Sequence, residues 1–161
     1  MKHSTIFFIA FFLASGCDTG SQPQSDEQFV KILYQYSFRD EVNTYSQTLT
    51  KDLIMDGTIT VSFWFTKAEQ DLLLSEVNRV DFFNIPDTLK KVNGVEMSPN
   101  PSPDLLRIEV DGKQKTVVWS YPVDTTGVGS TAILQLTQAI TTIVQSSAVY
   151  KQLPAARGGY L

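Results

Sequence analysis

From Phe29 onward, apolar and polar residues alternate. Val30, Ile32, Tyr34, Tyr36 and Phe38 fall on one side, with Lys31, Gln35, Ser37 and Arg39 on the other. That period of two predicts a strand with one wetter face. After the polar turn Arg39-Asp40-Glu41, the stretch from Val42 to Ile54 is rich in Thr and Tyr and reads as a second extended segment. Asp56-Gly57 then separates two β-like runs, a strong hairpin signal, and Ile59 to Phe65 forms the third strand. Thr66 and Glu69 have the spacing of a capping box. The helix they open carries Leu73, Val77 and Val80 on one stripe and must stop before Pro86. A long irregular connection, Thr88 to Pro103, leads to a second hairpin, Leu105–Val110 and Thr116–Tyr121 around Asp111-Gly112-Lys113. Ser130 is placed to cap the last helix, where Ile133, Leu136, Ile140 and Ile143 share a face. The order βββαββα predicts an α+β fold, an antiparallel sheet of about five strands with two helices on one face.

The pattern before Phe29 is different. A short basic start, Met1-Lys2-His3, precedes eight apolar residues, Ile6 to Leu13, and then Ala14-Ser15-Gly16-Cys17. The run is far short of the roughly 20 apolar residues a membrane span needs and has the form of a signal-peptide core. Leu13-Ala14-Ser15-Gly16-Cys17 resembles the lipobox of bacterial lipoproteins. The resemblance implies cleavage after residue 16, a thioether-linked diacylglycerol on Cys17 and an acylated new amino terminus. Anchoring would then be stable, at about 0.8 kcal/mol per buried CH₂. The other reading is an ordinary buried cysteine in an uncleaved chain. Residues 1–16 are therefore expected to be a signal peptide and 17–28 a lipidated, breaker-rich tether with Gly20, Pro23 and Ser25. Residues 29–161 are expected to form one domain with a short tail. The expected location is the cell membrane or outer membrane, lipid-anchored and facing the periplasm or the exterior.

Composition narrows the chemistry. The chain holds one His, His3, and one Cys, Cys17, and both fall in or at the edge of the signal region. The remainder has no imidazole for a Ser-His-Asp triad or a histidine zinc site, and no spare thiol for a disulfide or a nucleophile. There is no Gly-rich phosphate loop; Gly127-Val128-Gly129 lacks the third glycine. Without Lys2 the charge is 12 Lys and Arg against 17 Asp and Glu, a net of −5 with no basic cluster, which argues against nucleic acid. No cofactor is expected, and a non-catalytic role is favoured. The remaining enzymatic alternative is carboxylate-based: Asp87, Glu96 and Asp104 bracket the long loop and would serve as an acid–base pair or a weak calcium site, against solvated loop acids as the plain alternative.

Two features suit a binding role instead. Trp64 alternates with Phe63 and Phe65 and so points away from them. It is expected either to form an exposed aromatic surface with Tyr34 and Tyr45, suited to a protein or glycan, or to lie on a face covered by the tether or the tail. The end Gly158-Gly159-Tyr160-Leu161 presents Tyr160 and Leu161 either to a groove-binding receptor or back to a groove on its own domain. From Thr58 to Val144 the order of elements, with Asp81-Phe82-Phe83-Asn84-Ile85-Pro86-Asp87 closing the first helix and Leu106 to Lys113 forming the second hairpin, is similar to emfourin-type metalloprotease inhibitors and several small bacterial lipoprotein domains. The likeness implies the fold; no inhibitory residue is carried over. The expected function is a membrane-anchored protein-binding or assembly module, with protease inhibition as a narrower form. The alternative is a carboxylate-based hydrolase or a calcium-dependent ligand or glycan binder.

Overall fold

The computed structural model describes residues 29–94 and 102–160. Cys17 with its signal and tether, Glu96, the Pro99–Pro101 stretch and Leu161 lie outside the described residues. Six strands, β1 (Val30–Tyr36), β2 (Asp40–Asn43), β3 (Thr48–Asp52), β4 (Thr58–Ser62), β5 (Asp104–Val110) and β6 (Lys113–Trp119), form one antiparallel sheet in the order β4-β3-β2-β1-β5-β6. Between β4 and β5 run α1 (Lys67–Arg79) and a 3₁₀ turn at Phe82–Asn84. After β6 come α2 (Ser130–Ser146) and the short α3 (Ala148–Lys151). The crossover through α1 carries the chain from the β4 edge to the far side of β1, which leaves β1 near the middle of the sheet.

The alternation read from the sequence decides which face is covered. Val30, Ile32 and Tyr34 of β1, Leu106 and Ile108 of β5, and Val117 and Trp119 of β6 are buried in one cluster with Leu73 and Val77 of α1 and Ile133, Leu136, Ile140 and Val144 of α2. Each such side chain contributes about 1.5–3 kcal/mol on leaving water. The opposite face carries Lys31, Gln35, Asn43, Thr50, Arg107 and Thr116, as a water-facing antiparallel sheet should.

The helix starts differ. Thr66 caps α1 as predicted: its Oγ1 accepts from the Glu69 N–H at 3.4 Å, and the Glu69 carboxylate accepts from the Thr66 N–H at 2.8 Å. Ser130 does not cap α2. The cap is Gly129 at φ +81°, where a Cβ would sit 2.6 Å from Ile85 Cγ2, and Ser130 is the buried first residue of the helix. The expected strand Val42–Ile54 is instead two strands. The chain reverses after Asn43, whose Oδ1 accepts from the N–H groups of Tyr45 and Ser46 at 3.1 and 3.2 Å, with Gln47 at φ +57°. This side-chain turn uses neither Gly nor Pro, which is why the composition concealed it. The Asp111-Gly112 turn has both residues at positive φ, 50° and 76°, as a tight hairpin requires. No helix among the described residues is long and apolar enough to cross a membrane.

Candidate binding surface

Three aromatic side chains are exposed at one end of the sheet: Trp64 (66%), Phe29 (57%) and, to a lesser degree, Tyr45 (38%). Together with Lys31, Gln47 and Gln70 they line a recess of about 440 Å³. Each is held there for a local reason. Phe63 and Phe65 turn inward and pack edge to face, with centroids 5.0 Å apart, which forces Trp64 outward just past β4. The Asn43 turn presents Tyr45, and Thr44 beside it is tied to β1 through its N–H to the Ile32 carbonyl at 2.8 Å and its Oγ1 to the Ile32 N–H at 2.7 Å. Gln70 of α1 accepts the Val30 N–H at 3.0 Å, so the start of β1 and Phe29 are fixed against the helix.

The recess is aromatic and polar but nearly neutral. Lys31 is paired with Glu109 at 2.9 Å, and its ammonium lies 5.9 Å from the Tyr45 ring centroid. The Glu109 hydrogen bond raises the Lys31 pKa, so the ammonium is charged at neutral pH. Gln114 donates to the Tyr45 hydroxyl at 3.4 Å. Such a surface can bury apolar area and satisfy a few neutral hydrogen bonds.

Of the residues singled out from sequence, Trp64 and Tyr45 meet here. Phe29, which sequence reasoning treated only as the start of a strand, completes the set. Its signal was an apolar residue directly before the first alternating run. Tyr34 does not join them. It shares the covered face of β1 with Val30 and Ile32, is 4% exposed, and stacks on Tyr36 at 4.4 Å, so its expected exposure is corrected to burial in the core. Burial also pushes its phenol pKa well above the ordinary tyrosine range. Tyr160 lies at the opposite end of the sheet, stacked on Phe38 at 3.8 Å with its hydroxyl donating to Asp52. Arg157 is bidentate to Asp56 at 2.7 and 2.8 Å and pairs its backbone with Leu53 and Met55. Through residue 160 the tail is folded back on its own domain.

The acidic candidates are placed apart in character. Asp87 is exposed and paired with Lys115 at 2.6 Å. Asp104 is 2% exposed at the start of β5, and burial pushes its carboxyl up to about 7, although the Tyr121 hydroxyl and the Ser37 N–H favour its charged form. Among the described residues no three His, Cys, Asp or Glu side chains come together in a way that would hold a metal ion. A second concavity, about 790 Å³, runs between α1 and α2 over Leu72, Leu134 and Ile143, with the Glu76–Arg79 ion pair on its rim. No protein-family model, no curated protein and no solved structure matches this chain.

Proposed function

We propose that this chain is a lipid-anchored protein of the bacterial cell envelope, attached through Cys17, that works as a non-catalytic binding or assembly module. Its contact surface is the recess of Phe29, Tyr45 and Trp64, and its partner is a protein. One observation carries the reading: three large aromatic side chains stay exposed together at the end of the sheet where β1 begins. Aromatic anchors flanked by neutral polar groups are the composition that dominates protein-binding energetics, and the near-neutral rim disfavours a strongly charged ligand. Inhibition of a protease is a narrower form of the same role.

The test is to extract the protein from native membranes in mild detergent, crosslink lightly and identify what co-purifies in near-equal amount. Trp64→Ala should change stability by less than about 0.5 kcal/mol, because the side chain is exposed, yet lower partner recovery roughly ten-fold or more. Full recovery with Trp64→Ala and Tyr45→Ala combined overturns the assignment of this surface. Acyl labelling that persists in Cys17→Ala overturns the anchor.

A further inference from the structure

We propose that the outer edge of β4 is a self-pairing edge, through which two copies of this chain join their sheets antiparallel about a two-fold axis at Thr60. Among the described residues β4 is bonded only to β3. The flanking pairs fix which groups face outward: Leu53 donates to the Gly57 carbonyl at 2.8 Å, and Phe63 donates to the Gln47 carbonyl at 2.9 Å. In an antiparallel ladder such bonded pairs recur at every second residue, so Ile59 and Val61 spend their N–H and C=O groups on β3, while those of Thr58, Thr60 and Ser62 point away from it. Among the described residues no backbone hydrogen bond reaches these outward groups.

Nothing on the strand guards it. Thr58-Ile59-Thr60-Val61-Ser62 has no charge, no proline and no bulge, the devices that usually blunt an edge. The strand is also self-complementary. With Thr60 opposite Thr60 of a second copy, Thr58 faces Ser62 and Ile59 faces Val61. All three outward residues of each strand then fall in bonded positions, giving six hydrogen bonds. Ile59 and Val61 extend the helix-covered face, while the Thr50–Thr60 hydroxyl pair, 2.8 Å apart, continues across the junction on the open face. A second copy fits better than an unrelated strand because the register, the two faces and the absence of charge all satisfy the same two-fold operation.

The purified full-length chain in mild detergent should show a monomer–dimer equilibrium by sedimentation, with residue-resolved exchange protecting the Thr58, Thr60 and Ser62 amides more as concentration rises. Ile59 and Val61 should be protected at every concentration. Thr60→Pro removes an N–H that the monomer does not use and should weaken association at least about ten-fold with the fold retained. Thr60→Lys and Thr60→Glu should each be monomeric and should pair with one another when mixed. A chain that stays monomeric up to about 1 mM, the weak end of specific association, overturns the proposal. So does a dimer that Thr60→Lys leaves intact, or protection of the outward amides that does not depend on concentration, which would mean another part of the same chain covers the edge.

Discussion

The two edges of the sheet are treated in opposite ways. Along β6, the segment 87–92 lies against the outer side: Val118 donates to the Asp87 carbonyl at 2.9 Å, and the Leu89 N–H donates to the Val118 carbonyl at 3.1 Å. The uncovered part of β6 carries Lys113, 4.4 Å from the Phe83 ring centroid, and Lys115, paired with Asp87. A charged, half-strapped edge resists adding another strand. Along β4, among the described residues, there is neither strap nor charge. The C-terminal tail comes close, bridging Ile54 with Arg157 and holding Asp56, but it clasps the β3–β4 turn and stops short of the strand. Among the described residues one edge is half-strapped and charged while the other carries neither device, and that asymmetry underlies the pairing proposed for Thr60.

The largest effect comes from undoing the strap. Leu89 is buried at 5% exposure and pins the segment, so Leu89→Ala should cost about 3 kcal/mol in urea unfolding and speed exchange of the Val118 amide. Unchanged Val118 exchange would mean the strap is held by its backbone bonds alone.

Next is the buried carboxyl at the covered side, Asp104, opposite Trp119 of β6. Its pKa is raised to about 7 in the fold, above the value of 3.8 it starts from. Below about pH 3 both states hold the proton, and its titration adds no cost. Between pH 4 and 7 the unfolded chain ionises while the folded one does not, so stability falls as pH rises and levels off above 7. Asp104→Asn should remove that slope and raise stability at pH 8 by about 3 kcal/mol, less than the roughly 4 kcal/mol that a rise from 3.8 to about 7 implies because the Asn amide buries an N–H of its own, with little change at pH 3. A melting curve series whose pH dependence survives the substitution would refute the account.

The smallest effect is at the tail beside the bare edge. Deleting residues 158–161 removes the Tyr160–Phe38 stack and the hydrogen bond to Asp52. Stability should drop by about 1–2 kcal/mol, while association through β4 stays as it was. Stronger association in the truncated chain would show that the tail shields the edge.

Much of the fold was legible in the residues because its signals are local. Thr66 and Glu69 announce α1, Asp111-Gly112 announces a hairpin, and the spacing of Ile133, Leu136 and Ile140 announces the buried stripe of α2. Two element boundaries were not legible. Asn43 splits one expected strand into two without Gly or Pro, and Gly129 rather than Ser130 caps α2 because Ile85 leaves no room for a Cβ. The binding surface was half legible. Alternation placed Trp64 opposite Phe63 and Phe65 but could not say that Tyr34 lies beneath the helices, nor that Phe29 comes up beside Trp64 and Tyr45.

What the sequence determined by itself is most of the elements, the two-faced character of its strands and the poverty of its chemistry, with one His and one Cys. These follow from periodicity, turn residues and composition, all of which act within a few residues. Tertiary structure alone decided which strands became edges, which edge was covered and which aromatics met. Those outcomes depend on where the α1 crossover and the 87–92 strap lay the chain across the sheet, and contacts between residues tens of positions apart leave no periodic trace in either partner.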